Sequence, residues 1–574
     1  MPVSVIKRSA AHIHRVVRWS RCCLRSVSRT NFTDYEKERQ AFKLDAPEYF
    51  NFSRDIFDVW TLKKPELTAL WWIDEHGKSI KYSYSVLSQL SKRLANGLQA
   101  GAGLERGSKV LVILPRIVEW WILTLACIRA GVVFCPGTTL LTAKDVAWRL
   151  EAAAVDAVIV TDGDVHKIEE ISASFPQLKK ICVARTCPQG WYKLDDLLSK
   201  GSADHTCVNT YSSEMMNLFF TSGTTGAPKM AQHTHASYGL GHIITGRYWL
   251  NLVEGDVVWS NNDTGWAKTA FSNTFGPWSM GATVFTQHTA KFDPSITLKV
   301  LSDYPITTLC APPTGYRLLV QENIQDFKLK ALSHSVSAGE PLNPEVLDKW
   351  KAMTELTIME GYGQTETVLV CGNFKCLPVK LGSMGKASPG FDLKIVNKEG
   401  VEMEPHKEGE LAISVAPKRP VGLFPGYLND EDKTNSVFVN GFYLTGDRAF
   451  MDEEGYFWFV GRSDDVIISA GYRIGPFEVE SALLEHPAVL ESAVVASPDS
   501  VRGQVVKAYV ILTQSAKQHD KDVLTRELQN HVKSVTAPYK YPRQIEFTEQ
   551  LPKTVSGKIR RVELREREIN RGQT

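Results

Sequence analysis

The features that would direct this chain to a membrane or to a disulfide framework are missing from its 574 residues. No apolar run approaches the ~20 residues that a membrane-spanning helix needs. The best candidate, residues 120–128, is interrupted by Arg129. The ten cysteines form no C-x-x-C pair and no His-spaced cluster. We therefore expect reduced thiols, with no zinc site and no transmembrane segment.

Acidic residues are absent from the first 33 positions, which instead carry seven cations: Lys7, Arg8, Arg15, Arg18, Arg21, Arg25 and Arg29. Basic, serine-containing sequence without an uninterrupted apolar core is typical of a mitochondrial presequence and not of a secretory signal. We predict a presequence over residues 1–33 and a matrix location; the alternative is a basic disordered tail. Because the whole chain carries only +2, the remainder is mildly acidic and shows no nucleic-acid footprint.

Short apolar runs alternate with amphipathic stretches between residues 51 and 390. Strands are predicted at residues 110–114, 132–134, 157–160 and 180–183, with helices at 119–129 and 143–154. This repeated strand–helix–strand pattern indicates parallel sheets covered by helices. From 391 to 459, short strands and tight turns such as Lys398-Glu399-Gly400 indicate a small β-rich subdomain. The fold class is therefore α/β.

A polar break at residues 461–465 separates this body from a last segment of about 110 residues. That segment contains a helix beginning at Pro476, strands at 489–496 and 505–512, and a helix through 523–534. We predict a large N-terminal domain at 34–461, with the β-rich subdomain at about 391–461. A hinge at 462–465 would join it to a small, mobile α+β C-terminal domain at 466–574.

A loop rich in glycine and hydroxyl groups is the most informative motif. It follows an apolar run at residues 215–220 and reads Thr221-Ser222-Gly223-Thr224-Thr225-Gly226-Ala227-Pro228-Lys229. Its glycines let backbone N–H groups approach an anion, and Lys229 adds a charge suited to a polyphosphate. The Walker spacing is absent. The loop therefore predicts a phosphate site of another kind; the alternative is a flexible surface loop.

Four further motifs follow in order along the chain, and each by itself is weak evidence for a function. The first two are Glu360-Gly361-Tyr362-Gly363-Gln364-Thr365-Glu366 and Tyr443-Leu444-Thr445-Gly446-Asp447. The last two are Gly461-Arg462-Ser463-Asp464-Asp465, with Ile468-Ser469-Ala470-Gly471-Tyr472-Arg473 close behind, and Leu551-Pro552-Lys553-Thr554-Val555-Ser556-Gly557-Lys558. An aromatic face can stack on a base, and carboxylates can hold ribose hydroxyls or Mg²⁺. A solvated basic tail is the alternative for the last motif.

Taken in this order, the five motifs resemble the adenylate-forming superfamily of acyl-CoA synthetases, luciferases and peptide-synthetase adenylation domains. The resemblance covers residues 50–565. The continuous phosphate loop and Asp263-Thr264-Gly265-Trp266-Ala267-Lys268 are similar to the mitochondrial medium-chain acyl-CoA synthetases. The resemblance implies that a carboxylate attacks the α-phosphate of ATP, giving acyl-AMP and pyrophosphate. CoA then displaces AMP to give the thioester.

The resemblance also assigns roles to matching positions. Lys558 and Lys229 would be catalytic, Glu366 would bind Mg²⁺, and Asp464 would be the hinge. The ATP and AMP contacts would be Thr221, Ser222, Gly223, Thr224, Thr225, Gly226, Ala227, Pro228, Lys229, Glu360, Gly361, Tyr362, Gly363, Gln364, Thr365, Asp447, Arg462 and Lys558. Within this set Tyr362 would stack on adenine beside residues 337–341.

Two further sets complete the implied site. Trp266, Gln364 and Arg473 would contact the acyl substrate, with an ordinary core tryptophan as the alternative for Trp266. CoA would contact Ala470, Gly471, Tyr472, Arg502, Lys533, Lys540 and Arg543, although a basic surface residue is usually just solvated. The expected partners are a small carboxylic acid, ATP and CoA, and the expected assembly is a monomer or small homo-oligomer.

Three other functions fit parts of the same pattern. An aryl-acid ligase acting on benzoate-like acids differs only in pocket shape. A luciferase-like oxygenase would retain the adenylation motifs, but the presequence argues against it. A non-enzymatic acyl-nucleotide-binding protein would be expected to lose a catalytic group, yet Lys229, Glu366, Asp447, Arg462 and Lys558 are all present.

Overall fold

The computed structural model describes residues 30–221, 228–289, 292–469, 472–499, 502–554 and 558–571. Its strands are β1 (Thr68–Ile73), β2 (Ser79–Ser83), β3 (Lys109–Ile113), β4 (Val133–Gly137), β5 (Ala157–Thr161), β6 (Lys179–Val183), β7 (Tyr192–Lys193), β8 (Met215–Thr221), β9 (Lys229–Thr234), β10 (Val257–Ser260), β11 (Thr283–Gln287), β12 (Thr308–Cys310), β13 (His334–Ala338), β14 (Ile358–Gly363), β15 (Leu369–Gly372), β16 (Lys386–Ala387), β17 (Leu393–Val396), β18 (Gly409–Ser414), β19 (Gly426–Tyr427), β20 (Phe438–Val439), β21 (Phe442–Met451), β22 (Phe457–Arg462), β23 (Ile467–Ser469), β24 (Tyr472–Ile474), β25 (Val489–Asp499), β26 (Gly503–Leu512) and β27 (Gln544–Phe547).

The α-helices are α1 (Tyr35–Ala41), α2 (Asp58–Lys63), α3 (Tyr84–Asn96), α4 (Val118–Ala130), α5 (Ala143–Ala153), α6 (Val165–Ile171), α7 (Leu194–Lys200), α8 (His242–Ile244), α9 (Ala267–Ser272), α10 (Phe275–Ser279), α11 (Pro294–Asp303), α12 (Pro313–Leu319), α13 (Pro344–Thr354), α14 (Glu431–Val437), α15 (Pro476–Leu484), α16 (Lys521–Val535) and α17 (Arg561–Arg571). Short π-helical segments precede and follow α8.

Two large, mainly parallel sheets form the body. One has the strand order β19-β9-β8-β4-β3-β5-β6-β7, and the other has β16-β15-β14-β13-β12-β10-β11-β1-β2. Their central strands are continuously apolar because both faces are covered. The apolar run at residues 120–128 lies in α4, whose residues are all buried except Glu119, so this run is a core helix. The α/β fold class predicted from the sequence is confirmed.

The β-rich region forms a third sheet of five strands, β17, β18, β20, β21 and β22. Two details differ from the expectation of strands and turns alone. The helix α14 lies inside the region, capped by Asp430. Strand β19 leaves the region to pair with β9, which connects the small sheet to the strand that begins at Lys229.

The C-terminal segment has its own three-stranded sheet, β25-β26-β27, packed with α15, α16 and α17. Its hairpin strands are longer than predicted, because pairing continues from Ala496↔Val506 out to Asp499↔Gly503. The last described residues form helix α17, where Arg561 binds Glu480 and Arg565 binds Asp465.

The helices beneath the first sheet are joined by a buried ion pair. Arg129 in α4 is fully buried and donates to both carboxylate oxygens of Asp58 in α2, at 2.7 and 2.5 Å, and to Ser91 in α3 at 2.8 Å. Burial raises the pKa of the Asp58 carboxyl, but the contacts from Arg129 outweigh it and hold the pKa below its usual range.

Replacing Asp58 with alanine should leave the buried Arg129 charge uncompensated. We expect Asp58→Ala to lower the free energy of unfolding by about 3–5 kcal/mol, measured by urea titration of tryptophan fluorescence. The matched control is Asp303→Ala, which removes an exposed ion pair to Lys299 and should cost less than about 1 kcal/mol. Equal losses in the two variants would contradict the assignment.

Candidate functional site

A buried carboxylate lies where the small sheet meets the second large sheet. Asp447 in β21 is 4% exposed and faces Arg462 of β22 in register. One carboxylate oxygen accepts hydrogen bonds from the Tyr362 hydroxyl at 2.5 Å and the Gln364 amide at 2.8 Å. The other lies 3.3 Å from Arg462 Nε. Four predicted residues from three motifs therefore meet at one point.

Burial raises the pKa of Asp447, while Arg462 and the bonds from Tyr362 and Gln364 oppose that rise. Lys558, from the far end of the chain, also acts on this carboxyl electrostatically. A buried carboxylate with partners on both oxygens is held in one orientation. It is suited to accepting hydrogen bonds from two neighbouring hydroxyl groups.

The glycines around Tyr362 are required by close packing. A Cβ on Gly361 would lie 2.6 Å from the Trp249 ring, and one on Gly363 would lie 2.6 Å from the carbonyl oxygen of Val368. Strand β14 runs parallel to β13, with Ala338 opposite Gly361. The aromatic platform, formed by the Tyr362 ring between Gly361 and Gly363, therefore lies on the strand next to residues 337–338.

Glu360 begins this platform and is partly buried. Its carboxylate accepts a hydrogen bond from the Leu342 N–H at 3.0 Å. Burial raises its pKa to about 8, and that backbone bond only partly opposes the rise. Glu360 is therefore protonated over much of the neutral range.

The predicted phosphate loop connects β8 to β9 as an antiparallel hairpin in which Thr221 is opposite Lys229. Residues 222–227 lie outside the described part of the chain. Lys229 Nζ is 5.7 Å from the Tyr427 ring centre, and the Tyr427 hydroxyl donates to Glu366 at 2.8 Å. Burial and then Lys433 lower the pKa of Lys229, whereas Glu366 raises it. A cation and a carboxylate thus share the end of the hairpin.

The turn that contains Trp266 lies between the two large sheets. The Thr264 hydroxyl donates to the Leu114 carbonyl at 2.5 Å, and a Cβ on Gly265 would lie 2.2 Å from the Thr138 nitrogen. Trp266 then precedes α9 and is only partly buried. With Trp120, Phe134, Asn217, Phe219 and Phe275, it lines a small apolar cavity.

Three of the predicted CoA contacts lie beside tyrosine rings of the C-terminal segment. Lys533 and Arg543 both lie over the Tyr541 ring, at 4.2 and 4.8 Å. Tyr472 is exposed and stacks on Tyr539 with ring centres 4.4 Å apart.

The remaining predicted contacts of this set lie elsewhere. Lys540 is already paired with Glu478. Arg502 is exposed at the turn between β25 and β26. Arg473, which the resemblance assigns to the acyl substrate and not to CoA, is exposed in β24. Ala470 and Gly471 lie outside the described residues.

The predicted hinge separates two ion pairs. Asp464 Oδ1 is 3.6 Å from Arg462 Nε, on the side of the N-terminal body. The next residue, Asp465, binds Arg565 and lies 4.0 Å from Arg561, both in α17. Lys558 is exposed, and its N–H donates to the Thr554 hydroxyl at 3.1 Å.

Sequence reasoning missed three residues of this site. Tyr443 donates to Gln364 at 2.9 Å, and Tyr427 contacts both Lys229 and Glu366. Tyr443 could have been found, because residues 443, 445 and 447 share one face of a strand. Tyr427 carries no motif. Lys268 was noted only as part of a motif, yet it lines a second small pocket, and burial followed by repulsion from Lys558 lowers its pKa to about 8.

Among the described residues, no three His, Cys, Asp or Glu side chains come together as a metal-binding group. Within the same ranges, no helix has both the length and the apolar character that crossing a membrane requires. All eight cysteines that the structure describes have free thiols.

The chain matches two known protein families and a set of named relatives. A family described as "AMP-binding enzyme" matches residues 57–428, and one described as "AMP-binding enzyme C-terminal domain" matches residues 478–558. The chain is 50% identical over 550 residues to "Acyl-coenzyme A synthetase ACSM3, mitochondrial" of Mus musculus, covering 95% of each chain.

Two solved structures are similar over nearly their whole length. The anthranilate CoA ligase AuaEII in complex with anthranoyl-AMP has a TM-score of 0.84 at 28% identity, with 92% of this chain and 99% of that one covered. ATP-bound MatB from Rhodopseudomonas palustris has a TM-score of 0.79 at 25% identity, with 90% and 99% covered.

The raised pKa of Glu360 predicts a pH-dependent stability difference. Below about pH 4.5 the carboxyl is protonated in the folded and unfolded states. Between about pH 4.5 and about pH 8, the unfolded state ionises while the folded state retains its proton, so stability falls as pH rises. Glu360→Gln removes this titration. The melting temperature of the variant minus that of the native protein should increase from pH 5 to pH 8 and then level off. A difference that stays constant with pH would contradict the argument.

Proposed function

Because this chain belongs to the AMP-binding enzyme family, among its mitochondrial acyl-coenzyme A synthetases, we propose that its acid substrate is a medium-chain fatty acid. The family resemblance and the mitochondrial location expected from the sequence are confirmed. The enzyme forms acyl-CoA from a carboxylic acid, ATP and CoA.

One observation supports the site assignment most strongly. The side chains of Tyr362, Gln364 and Arg462 and the charge of Lys558 all act on the buried carboxylate of Asp447.

In the first half-reaction, the acid carboxylate attacks the α-phosphate of ATP and pyrophosphate leaves. The work of the protein is to position the reactants and to neutralise charge at phosphorus. Asp447 and Arg462 would bind the ribose hydroxyls, and Tyr362 would stack on adenine. Lys229 and the loop before it would hold the outer phosphates. Lys558 would bridge the attacking carboxylate and the α-phosphate.

Glu366 fits a role in binding Mg²⁺ beside the phosphates. One oxygen of its carboxylate accepts from the neutral Tyr427 hydroxyl at 2.8 Å, and no described cation forms an ion pair with it at 4.0 Å or less. One carboxylate completed by phosphate oxygens and water is an arrangement that Mg²⁺ accepts. Bound there, the ion would offset the negative charge of the leaving pyrophosphate.

In the second half-reaction, the CoA thiol displaces AMP from acyl-AMP. We propose that the C-terminal segment rotates about Asp464, which turns Lys558 away and brings residues 470–473 to the site. The ion pairs of Asp464 and Asp465 to opposite sides support this pivot. Arg473 would then contact the AMP phosphate. Lys533 and Arg543 would meet the phosphates of CoA, while Arg502 and the paired Lys540 are weaker candidates.

Lys558→Ala separates the two half-reactions. Because the lysine acts only on the attacking carboxylate and the α-phosphate, acyl-AMP formation should fall by a factor on the order of 10²–10⁴. Thioester formation from supplied acyl-AMP should remain near normal. Rapid-quench measurement of each step decides the matter. Equal loss in both steps would contradict the assignment.

An aryl-acid ligase is the second candidate, since the cavity at Trp266 is walled by aromatic rings that also suit a planar substrate. The anthranilate ligase is similar over 92% of this chain. A thioester assay on straight-chain C2–C16 acids and benzoate distinguishes the two functions. A maximum among the medium-chain acids supports the proposal, whereas preference for benzoate overturns it.

The same acid series tests Trp266 as a limit on chain length. Trp266→Ala should enlarge the cavity and shift the preferred acid to longer or bulkier chains. Each additional methylene accommodated should contribute roughly 0.8 kcal/mol of binding. An unchanged ranking of acids by kcat/KM, in a variant that melts normally, would show that Trp266 serves only the core.

A further inference from the structure

A lysine outside all the assigned roles has its amino group in the site. Lys268 is the second residue of α9 and is partly buried. Its side chain lines a pocket together with Asn262, Phe271 and Ala338. The amino group lies directly against the backbone at Gly339, where an added Cβ would be 1.9 Å from Nζ. Gly339 has φ +100° and immediately follows the strand beside the Tyr362 platform.

No described group pairs with this amino group. Across the ranges that the structure describes, Lys268 Nζ forms no hydrogen bond and has no carboxylate within 4.0 Å. A partly buried cation without a partner is costly, because it has lost hydration without gaining a counter-charge. Such a group is expected where a ligand supplies the anion.

Other charges around Lys268 indicate where that anion lies. Glu340 and the Cys310 thiol act to raise the pKa of Lys268, while burial first, and then Lys558, lower it to about 8. Lys558 also acts on the Asp447 carboxyl. The ammonium groups of Lys268 and Lys558, from distant parts of the chain, therefore repel each other. An anion between them would relieve that repulsion.

We propose that Lys268 is a second cation on the reacting acyl carboxyl group and the phosphate joined to it, and that it acts in both half-reactions. This inference rests on the proposed role of Lys558. The difference between the two lysines is their place in the chain. Lys558 belongs to the segment that would turn away after adenylation, whereas Lys268 belongs to the N-terminal body and would stay beside the acyl phosphate. In the second step it would stabilise the negative charge that develops on the acyl oxygen.

Lys268→Met tests the proposal, because it removes the charge but keeps an unbranched side chain. Acid-dependent pyrophosphate release and the transfer of supplied octanoyl-AMP to CoA are measured separately on the full-length enzyme. We expect each rate to fall by a factor on the order of 10–10³. Lys299→Met, on the exposed face of α11, should leave both rates unchanged. If Lys268→Met does not fold, Lys268→Gln is measured in its place.

A normal rate in either half-reaction would overturn the proposal. It would also be overturned if the substitution lowered the rates only for acids that carry an additional polar group, since Lys268 would then recognise the acyl chain and not the reacting carboxyl group. Failure of the Lys558 role is seen separately, as equal losses in both steps for Lys558→Ala.

The pH profile gives a readout that a structural role would not change. In the native enzyme, kcat/KM for the acid should decline above about pH 8, as free Lys268 loses its proton. Lys268→Met should lack this decline, whereas Lys299→Met should retain it. A decline that persists in Lys268→Met would count against the proposal.

Discussion

The carboxylate of Asp447 is the interaction on which the arrangement of the site depends. It is buried in the small β-sheet, yet its partners Tyr362 and Gln364 come from the end of β14 and the turn after it. A buried carboxylate is tolerated only when its oxygens are satisfied, so the small sheet and the large sheet are held at a fixed distance. Because Arg462 is the last residue of β22, the same contact also fixes where the C-terminal segment begins.

Three lysines of the candidate site come from three different parts of the fold. Lys229 belongs to the first large sheet, Lys268 to a helix beside the second, and Lys558 to the C-terminal segment. Burial and neighbouring like charges lower the pKa of Lys229 and of Lys268. The site is therefore short of negative charge, which a polyphosphate and a carboxylate would supply.

The junction after β22 combines firm and weak attachments. Asp465 is tied to α17 by Arg565, whereas Asp464 faces Arg462 across a longer ion pair. Asn343 donates to Ser481 at 3.0 Å, and among the described residues this is the one hydrogen bond between the body and α15. A swivelling segment needs strong internal contacts and few contacts across the pivot. The described contacts at this junction follow that division.

Most of the fold was predictable from local pattern. Strands such as residues 110–114 and helices such as 119–129 were recovered almost to the residue, because apolar runs and periodicity record burial directly. The predictions were wrong at the ends of some strands and where a helix lies within a region of strands. The β25–β26 hairpin continued into polar residues because backbone pairing does not require apolar side chains, and helix α14 interrupts a region that otherwise reads as strands.

The sequence by itself determined which candidate functional groups the protein contains, because each is a residue type in a motif. These groups are the phosphate loop, the aromatic platform at Tyr362, Asp447, Arg462 and Lys558. Only the tertiary structure decided which of these groups meet. Residues 362, 447 and 558 are far apart in the chain, and their convergence depends on sheet packing that no local pattern encodes. Tyr427 lies in no motif, and Lys268 lies in a motif that assigned it no role. The importance of both therefore arises from burial and from the charges that folding brings beside them.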